Sequence, residues 1–268
     1  MAWKDGNPAT LIRRWTSATA LVTAALVLGS CARSVSIEDL PEIVITANDY
    51  LFNAPQSAEG GMVRVTLDNQ GEEAHQVELV RVVEGFGPDD ILAAIQDRDA
   101  SAINAMVSYH GGPNEVPPGS SSTVITELEP GSYVLLCFVA GPNGELHVLQ
   151  GMIGSMEITA PENPQTWEPP DPDFEVSLQD YRFELTGETD EGMHLVRVRN
   201  DGTEPHELRI VGGDRAGGGS STISPGTETW VELTLEPGRY SVVCHVPSDQ
   251  QDDRLHTELG MSTSITVP

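Results

Sequence analysis

From about residue 42 the chain runs in short stretches whose apolar and polar positions alternate with a period of two. Ile43 to Leu51, Val63 to Asp68, Gln76 to Val82, Thr123 to Leu128, Tyr133 to Val139 and Met152 to Ile158 alternate or run apolar, punctuated by Gly, Pro, Asn and Asp. A second series follows at Glu175 to Leu185, His194 to Arg199, Glu207 to Val211, Thr229 to Leu235, Tyr240 to Val246 and Ser262 to Val267. Short strands at this spacing predict an all-β chain of two tandem Greek-key β-sandwich domains. One stretch breaks the period. From Pro88 to about Val107 apolar residues fall at helical spacing, which predicts a helical insertion packed over one end of the first sandwich.

The two series are repeats. Asn69-x-Gly71-x-Glu73-x-His75 returns as Asn200-x-Gly202-x-Glu204-x-His206, 131 positions later, and Met62 and Met193 obey the same offset. Leu128-Glu129-Pro130-Gly131-x-Tyr133-x-x-x-Cys137 returns as Leu235-Glu236-Pro237-Gly238-x-Tyr240-x-x-x-Cys244, now 107 positions later. The shorter second offset places the insertion between His75 and Pro118-Gly119. Between the repeats, residues 161–173 carry five prolines and four acids, which predicts a stiff linker without a packed element. The expected domains are therefore 42–160 and 174–268.

Ahead of them, residues 1–30 read as a signal peptide: Lys4, Arg13 and Arg14 precede an apolar run from Trp15 to Leu28. At about 14 residues this run falls short of the roughly 20 that span a bilayer. It ends in Leu28-Gly29-Ser30-Cys31, which resembles the bacterial lipobox. That resemblance implies lipidation of Cys31, with residues 31–41 as a tether and the protein held to the cell membrane on its extracytoplasmic face.

Charge and cysteine usage narrow the chemistry. The formal charge is −27, from 41 acidic and 14 basic residues, and Lys4 is the only lysine. Non-specific nucleic-acid binding is excluded as a leading idea, and no polybasic patch suits anionic lipid. Of three cysteines, one follows the leader and one falls in each repeat, so neither repeat holds an internal disulfide. This argues against an immunoglobulin-type sandwich, which bridges its sheets with a cysteine pair. A single thiol at the same place in two exported repeats suggests burial, metal ligation, or both.

After Cys137 come His147 and Met152 in a Cys-x9-His-x4-Met pattern; Cys244, His256 and Met261 give Cys-x11-His-x4-Met. With His75 or His206, each repeat supplies two imidazoles, a thiolate and a thioether, a set that suits a blue-copper site. Zinc could use two His and a thiolate, but the recurring Met argues against it. The pattern resembles the cupredoxin family. That resemblance implies one type 1-like copper per domain, with His75, Cys137 and His147 equatorial and Met152 axial in the first, and His206, Cys244, His256 and Met261 in the same roles in the second. Two departures are visible: the Cys-to-His loops are long, like that of copper nitrite reductases, and Gln76 and Glu207 stand where the family commonly has Asn.

The remaining motif residues read as structural. Asn and Glu before each first His are expected as turn formers with solvated carboxylates, Tyr133 and Tyr240 as packing residues, and His110 and His194 as surface residues. His245, beside Cys244, is the one candidate for a second copper. The expected function is electron transfer by a copper-binding lipoprotein that is not an enzyme and meets a redox partner protein. A copper-delivery lipoprotein and a metal-free interaction scaffold are the alternatives.

Overall fold

The computed structural model describes residues 34–164, 166–212 and 215–268. The expected leader and Cys31 lie outside the described residues.

Each repeat folds as two facing sheets, as the period-two pattern requires. In Gly61–Asn69, Val63, Val65 and Leu67 point inward while Arg64, Thr66 and Asp68 do not, and Gly192–Asn200 repeats this with Val196 and Val198. Inside the first repeat these side chains meet Leu79, Leu135 and Ile158 from the opposing sheet; inside the second they meet Leu208, Tyr240 and Val242. The chain passes from sheet to sheet after Asn69 and again after Leu128, giving Greek-key sandwiches. Cys137 and Met152 belong to the first core, Cys244 and Met261 to the second.

The repeats are not beads on a string. Glu228–Leu235 pairs antiparallel with Ser121–Leu128 through Trp230↔Ile125, Val231↔Val124 and Glu232↔Thr123. One sheet therefore runs through both repeats with eight strands, in the order Arg182–Gly187, Phe174–Gln179, Gly192–Asn200, Glu228–Leu235, Ser121–Leu128, Gly61–Asn69, Glu42–Asn48, Leu51–Asn53. The second layer is joined as well: Gly111 N–H donates to Thr222 O and Ser221 N–H to Gly112 O, each at 2.8 Å.

Several elements depart from expectation. The run from Ile43 to Leu51 is broken at Asp49-Tyr50, where Tyr50 takes φ 62° and turns the chain into Leu51–Asn53; Tyr181 makes the same turn with φ 63°. The Gly-rich segment Arg215–Ile223, which is not among the expected strands, is a strand paired with His206–Gly212. A methyl at Gly217 or Gly219 would strike the carbonyl oxygens of Ile210 and Leu208, so glycine is what permits the approach. The insertion is two helices, Pro88–Asp97 and Ala100–Met106, followed by the strand Val107–Tyr109. They cover a sheet face, not an end. Ile91, Ile95 and Met106 bury Val80, Val134 and Leu136 and reach Val148, next to His147. The second helix also touches the Cys244-to-His256 loop, with Asn104 Nδ2 donating to Asp249 at 2.8 Å. Within 161–173, Thr166–Trp167 does form a packed element. It pairs with Ser34–Val35, and the Trp167 ring meets that of Trp230 edge to face at 4.6 Å.

A carboxyl is buried at the junction. Glu78 is 1% exposed; its Oε2 accepts from Thr222 N–H and Oγ–H at 3.2 and 2.7 Å, while Oε1 has no partner. Burial, with the charge of Glu207 adding to it, pushes this carboxyl well above its ordinary value. It ionises more readily in the unfolded chain, so its stabilisation is complete below roughly pH 4.3 and is lost as pH rises toward the folded value. Glu78→Gln is expected to match the wild type in thermal melts near pH 4 and to melt higher near pH 8. Identical melting temperatures at both pH values would remove Glu78 as the source of the loss.

Candidate metal centres

The two repeats build the same site. His75 enters from the turn before Glu78–Val82, Cys137 from the end of Gly131–Leu136, and His147 begins the 3-10 turn His147–Gln150. His206, Cys244 and His256 take the same places in the second repeat. All eight expected ligands, including Met152 and Met261, are 0% exposed. In the first site His75 Nδ1 lies 3.1 Å from His147 Nδ1, and Cys137 Sγ lies 3.9 and 3.5 Å from those two nitrogens. In the second the corresponding distances are 2.9, 4.0 and 3.4 Å. Met152 and Met261 are anchored by backbone N–H bonds to His147 O and His256 O at 2.9 and 2.8 Å. Among the described residues these two triads are the groups of His, Cys, Asp and Glu able to hold a metal ion.

The donor set fits a metal. A point equidistant from the three atoms of either triangle lies about 2 Å from each, close to a metal–imidazole bond length. The paired Nδ1 atoms, 3.1 and 2.9 Å apart and away from water, either share a proton or, with both protons on Nε2, turn two lone pairs toward one point beside the sulfur, where a cation satisfies both. Burial pushes the Cys137 thiol up to about 11 and Cys244 higher still, and it lowers His75, His206 and His256, the last to about 4. Without metal these groups therefore stay neutral, and the thiol gives up its proton only to a metal. The Glu207 N–H donates to Cys244 Sγ at 3.4 Å, and Gln76 N–H serves Cys137. These are backbone donors, so the replacement of Asn by Gln76 and Glu207 does not remove them.

Sequence reading missed the outer edge of the site. Glu73 and Glu204 are not solvated turn formers. Glu73 Oε2 accepts from His147 Nε2 at 2.9 Å; Glu204, 2% exposed, places Oε2 3.1 Å from His256 Nε2, off the line of its N–H. Asp49 and Asp180 face His75 and His206 in the same way, at 3.3 and 3.0 Å. The motif now accounts for itself. Asn69 and Asn200 take the Gly71 and Gly202 N–H on Oδ1 and donate from Nδ2 to Glu73 O and Glu204 O, which fixes the turn. A Cβ on either glycine would meet both the Asp oxygen and the His Nε2, so only glycine leaves room for that contact. The overlooked signal was Asp49-Tyr50 returning as Asp180-Tyr181 at the offset of the His motif. Both tyrosine hydroxyls donate to the glutamates, at 3.1 and 2.9 Å.

Other expectations are corrected too. His110 is half-buried, with Nδ1 3.0 Å from Glu127 O, and His194 is buried on Asp190 O, so neither is a surface residue. His245 is exposed, and its Nδ1 faces the Arg209 guanidinium at 3.1 Å. Tyr133 and Tyr240 pack in the cores, their hydroxyls donating to Glu129 O and Glu236 O.

Both repeats are two-sheet Greek-key β-sandwiches. No protein-family model matches the chain, and no curated protein does. Solved structures do. A reduced auracyanin from Roseiflexus castenholzii is 25% identical, over 44% of this chain and 96% of its own, with a TM-score of 0.31. A blue copper oxidase from Nitrosomonas europaea is 17% identical over 85% and 86% (TM-score 0.28), and a copper-containing nitrite reductase from Thermus scotoductus 13% identical over 85% and 61% (0.25). The expectation that the chain is not an enzyme is withdrawn on this finding, since two of these cupredoxin-like neighbours are named as an oxidase and a reductase.

Gly202→Ala is expected to push Asp180 off His206 and weaken metal binding in the second repeat about 10- to 100-fold, leaving the first unchanged. Calorimetric titration of Cu(II) into the wild type and the variant reads this directly.

Proposed function

We propose that the chain is an electron-transfer lipoprotein carrying one type 1-like copper in each repeat. The observation that carries this reading is the duplicated, fully buried Nδ1, Sγ, Nδ1 triangle with a core methionine on the same turn. His75, Cys137 and His147, with Met152, would hold one copper; His206, Cys244 and His256, with Met261, the other. Copper bound there would supply a one-electron Cu(II)/Cu(I) couple. The protein's own part is to fix the donors before metal arrives. The cysteines are tied into the loop, with Cys244 N–H donating to Met261 O, Cys244 O accepting from Thr257 N–H and Cys137 O accepting from Val148 N–H, so the ligands need not move when the charge on the metal changes. Complete burial of the ligands favours a retained metal over one handed on, and so favours electron transfer over copper delivery.

Placement is part of the same proposal. Lipid on Cys31 would hold both centres on the extracytoplasmic face of the cell membrane, within reach of a redox partner protein. Among the described residues no helix is long and apolar enough to cross a membrane. Palmitate labelling that disappears in Cys31→Ala, together with release of that variant from the membrane fraction, is the expected result. A Cys31→Ala protein that stays membrane-bound would remove the lipid anchor.

Copper itself is tested by visible absorption and electron paramagnetic resonance of the full chain with one and two equivalents of Cu(II). An intense thiolate-to-copper band with narrow hyperfine splitting is expected, and Cys137→Ala and Cys244→Ala should each remove about half of it. Absence of that band would leave a metal-free scaffold.

A further inference from the structure

We propose that Asp49, Glu73, Asp180 and Glu204 are positioning residues that set the electron affinity of the two centres, each presenting a carboxylate to the outer nitrogen of one ligand imidazole and so favouring Cu(II) over Cu(I). The inference rests on the copper reading of both sites.

Four imidazoles and four carboxylates pair one to one. The Nε2-to-oxygen distances are 3.3 Å for His75 with Asp49, 2.9 Å for His147 with Glu73, 3.0 Å for His206 with Asp180 and 3.1 Å for His256 with Glu204. Packing alone does not demand this. A buried imidazole needs one acceptor at Nε2, and a backbone carbonyl meets that need without the cost of a nearby charge, as Asp190 O does for His194.

The carboxylates are also built in independently of any metal. Asp49 accepts Glu72 N–H and Glu73 N–H, and Asp180 accepts Thr203 N–H, Thr203 Oγ–H and Glu204 N–H. Glu204 is held from the other side by Ser248 Oγ–H at 2.7 Å and Gln250 N–H at 3.1 Å, and both glutamates take a tyrosine hydroxyl.

Their effect has a definite sign. A carboxylate at Nε2 fixes the proton there, aims the Nδ1 lone pair at the metal and makes that nitrogen more basic. The more basic donor and the added negative charge stabilise the doubly charged ion more than the singly charged one. Two such pairs act on each site; the imidazoles are fully buried, while Asp49, Glu73 and Asp180 are partly exposed and so partly screened by water, and Glu204, 2% exposed, is screened least.

The test separates charge from scaffolding, because Asp→Asn and Glu→Gln keep an oxygen acceptor of the same shape. Asp49→Asn, Glu73→Gln, Asp180→Asn and Glu204→Gln are made in the full chain, and each site's reduction potential is followed through its thiolate-to-copper band. Each variant is expected to lower the Cu(II)-to-Cu(I) affinity ratio of its own site about tenfold. For a one-electron couple this is a positive shift of about 59 mV, with the other site unmoved. Glu145→Gln, which removes an exposed carboxylate without a histidine contact, should shift neither.

Where a variant no longer holds Cu(II), competition with a Cu(I) chelator supplies the same ratio. Retained Cu(I) affinity supports the proposal, and equal loss of both ions overturns it. A wild type without a thiolate-to-copper band defeats the copper reading and this inference together. A wild type with the band, and Asn and Gln variants whose potentials stay put or fall, defeats this inference alone.

Discussion

Two nitrogen lone pairs and a sulfur are made to converge where water does not reach, twice, and much of the structure exists to hold that arrangement. Unaided, the three donors would rotate apart, because each would do better facing a hydrogen-bond donor. They cannot rotate. Three of the four rings are pinned from behind by a carboxylate and the fourth, His256, faces Glu204 without a hydrogen bond; each carboxylate is pinned by backbone amides or a hydroxyl, and the glycine two residues after the turn asparagine leaves the gap through which the aspartate reaches. Asn-x-Gly-x-Glu-x-His is thus one mechanical unit, and Asp-Tyr, whose aspartate stands 20 positions before the asparagine in each repeat, completes it.

What could be read in advance followed from periodicity and duplication. Alternation at period two gave the sandwich strands, and the repeated His, Cys, His, Met set gave the buried candidate ligands, because divergence between Cys and His made the retained positions stand out. The carboxylates were misjudged for a physical reason. A Glu in a turn between polar neighbours has the composition of a solvated residue, and only the tertiary fold shows that Glu204 lies under Tyr181, Ser248 and His256. Arg215–Ile223 was hidden likewise, since a Gly-Gly-Gly run carries no side-chain alternation. Its pairing depends on the absence of side chains.

The junction between repeats was beyond the sequence for a further reason: nothing in a strand's pattern says which edge it offers. Trp230 supplied no hint of crossing, though it is buried against Ile125 and Trp167 on one face of the shared sheet. Asn114 extends the union to the second site, donating from Nδ2 to Glu207 Oε2 at 2.9 Å, while Glu207 Oε1 takes the His245 N–H. Asn114 stands two residues from Val116, whose backbone exchanges hydrogen bonds with His75. The two candidate centres are accordingly fixed in one body.

The pairing of Ser121–Leu128 with Glu228–Leu235 has one more consequence. A sheet's last strand offers unpaired amides and carbonyls to any passing chain, and here the two strands that would be most exposed on separation consume each other's edges. Each repeat is in effect the other's guard against polymerisation. Loss of either repeat would leave its survivor not a smaller version of the same protein but one with an open, sticky sheet edge.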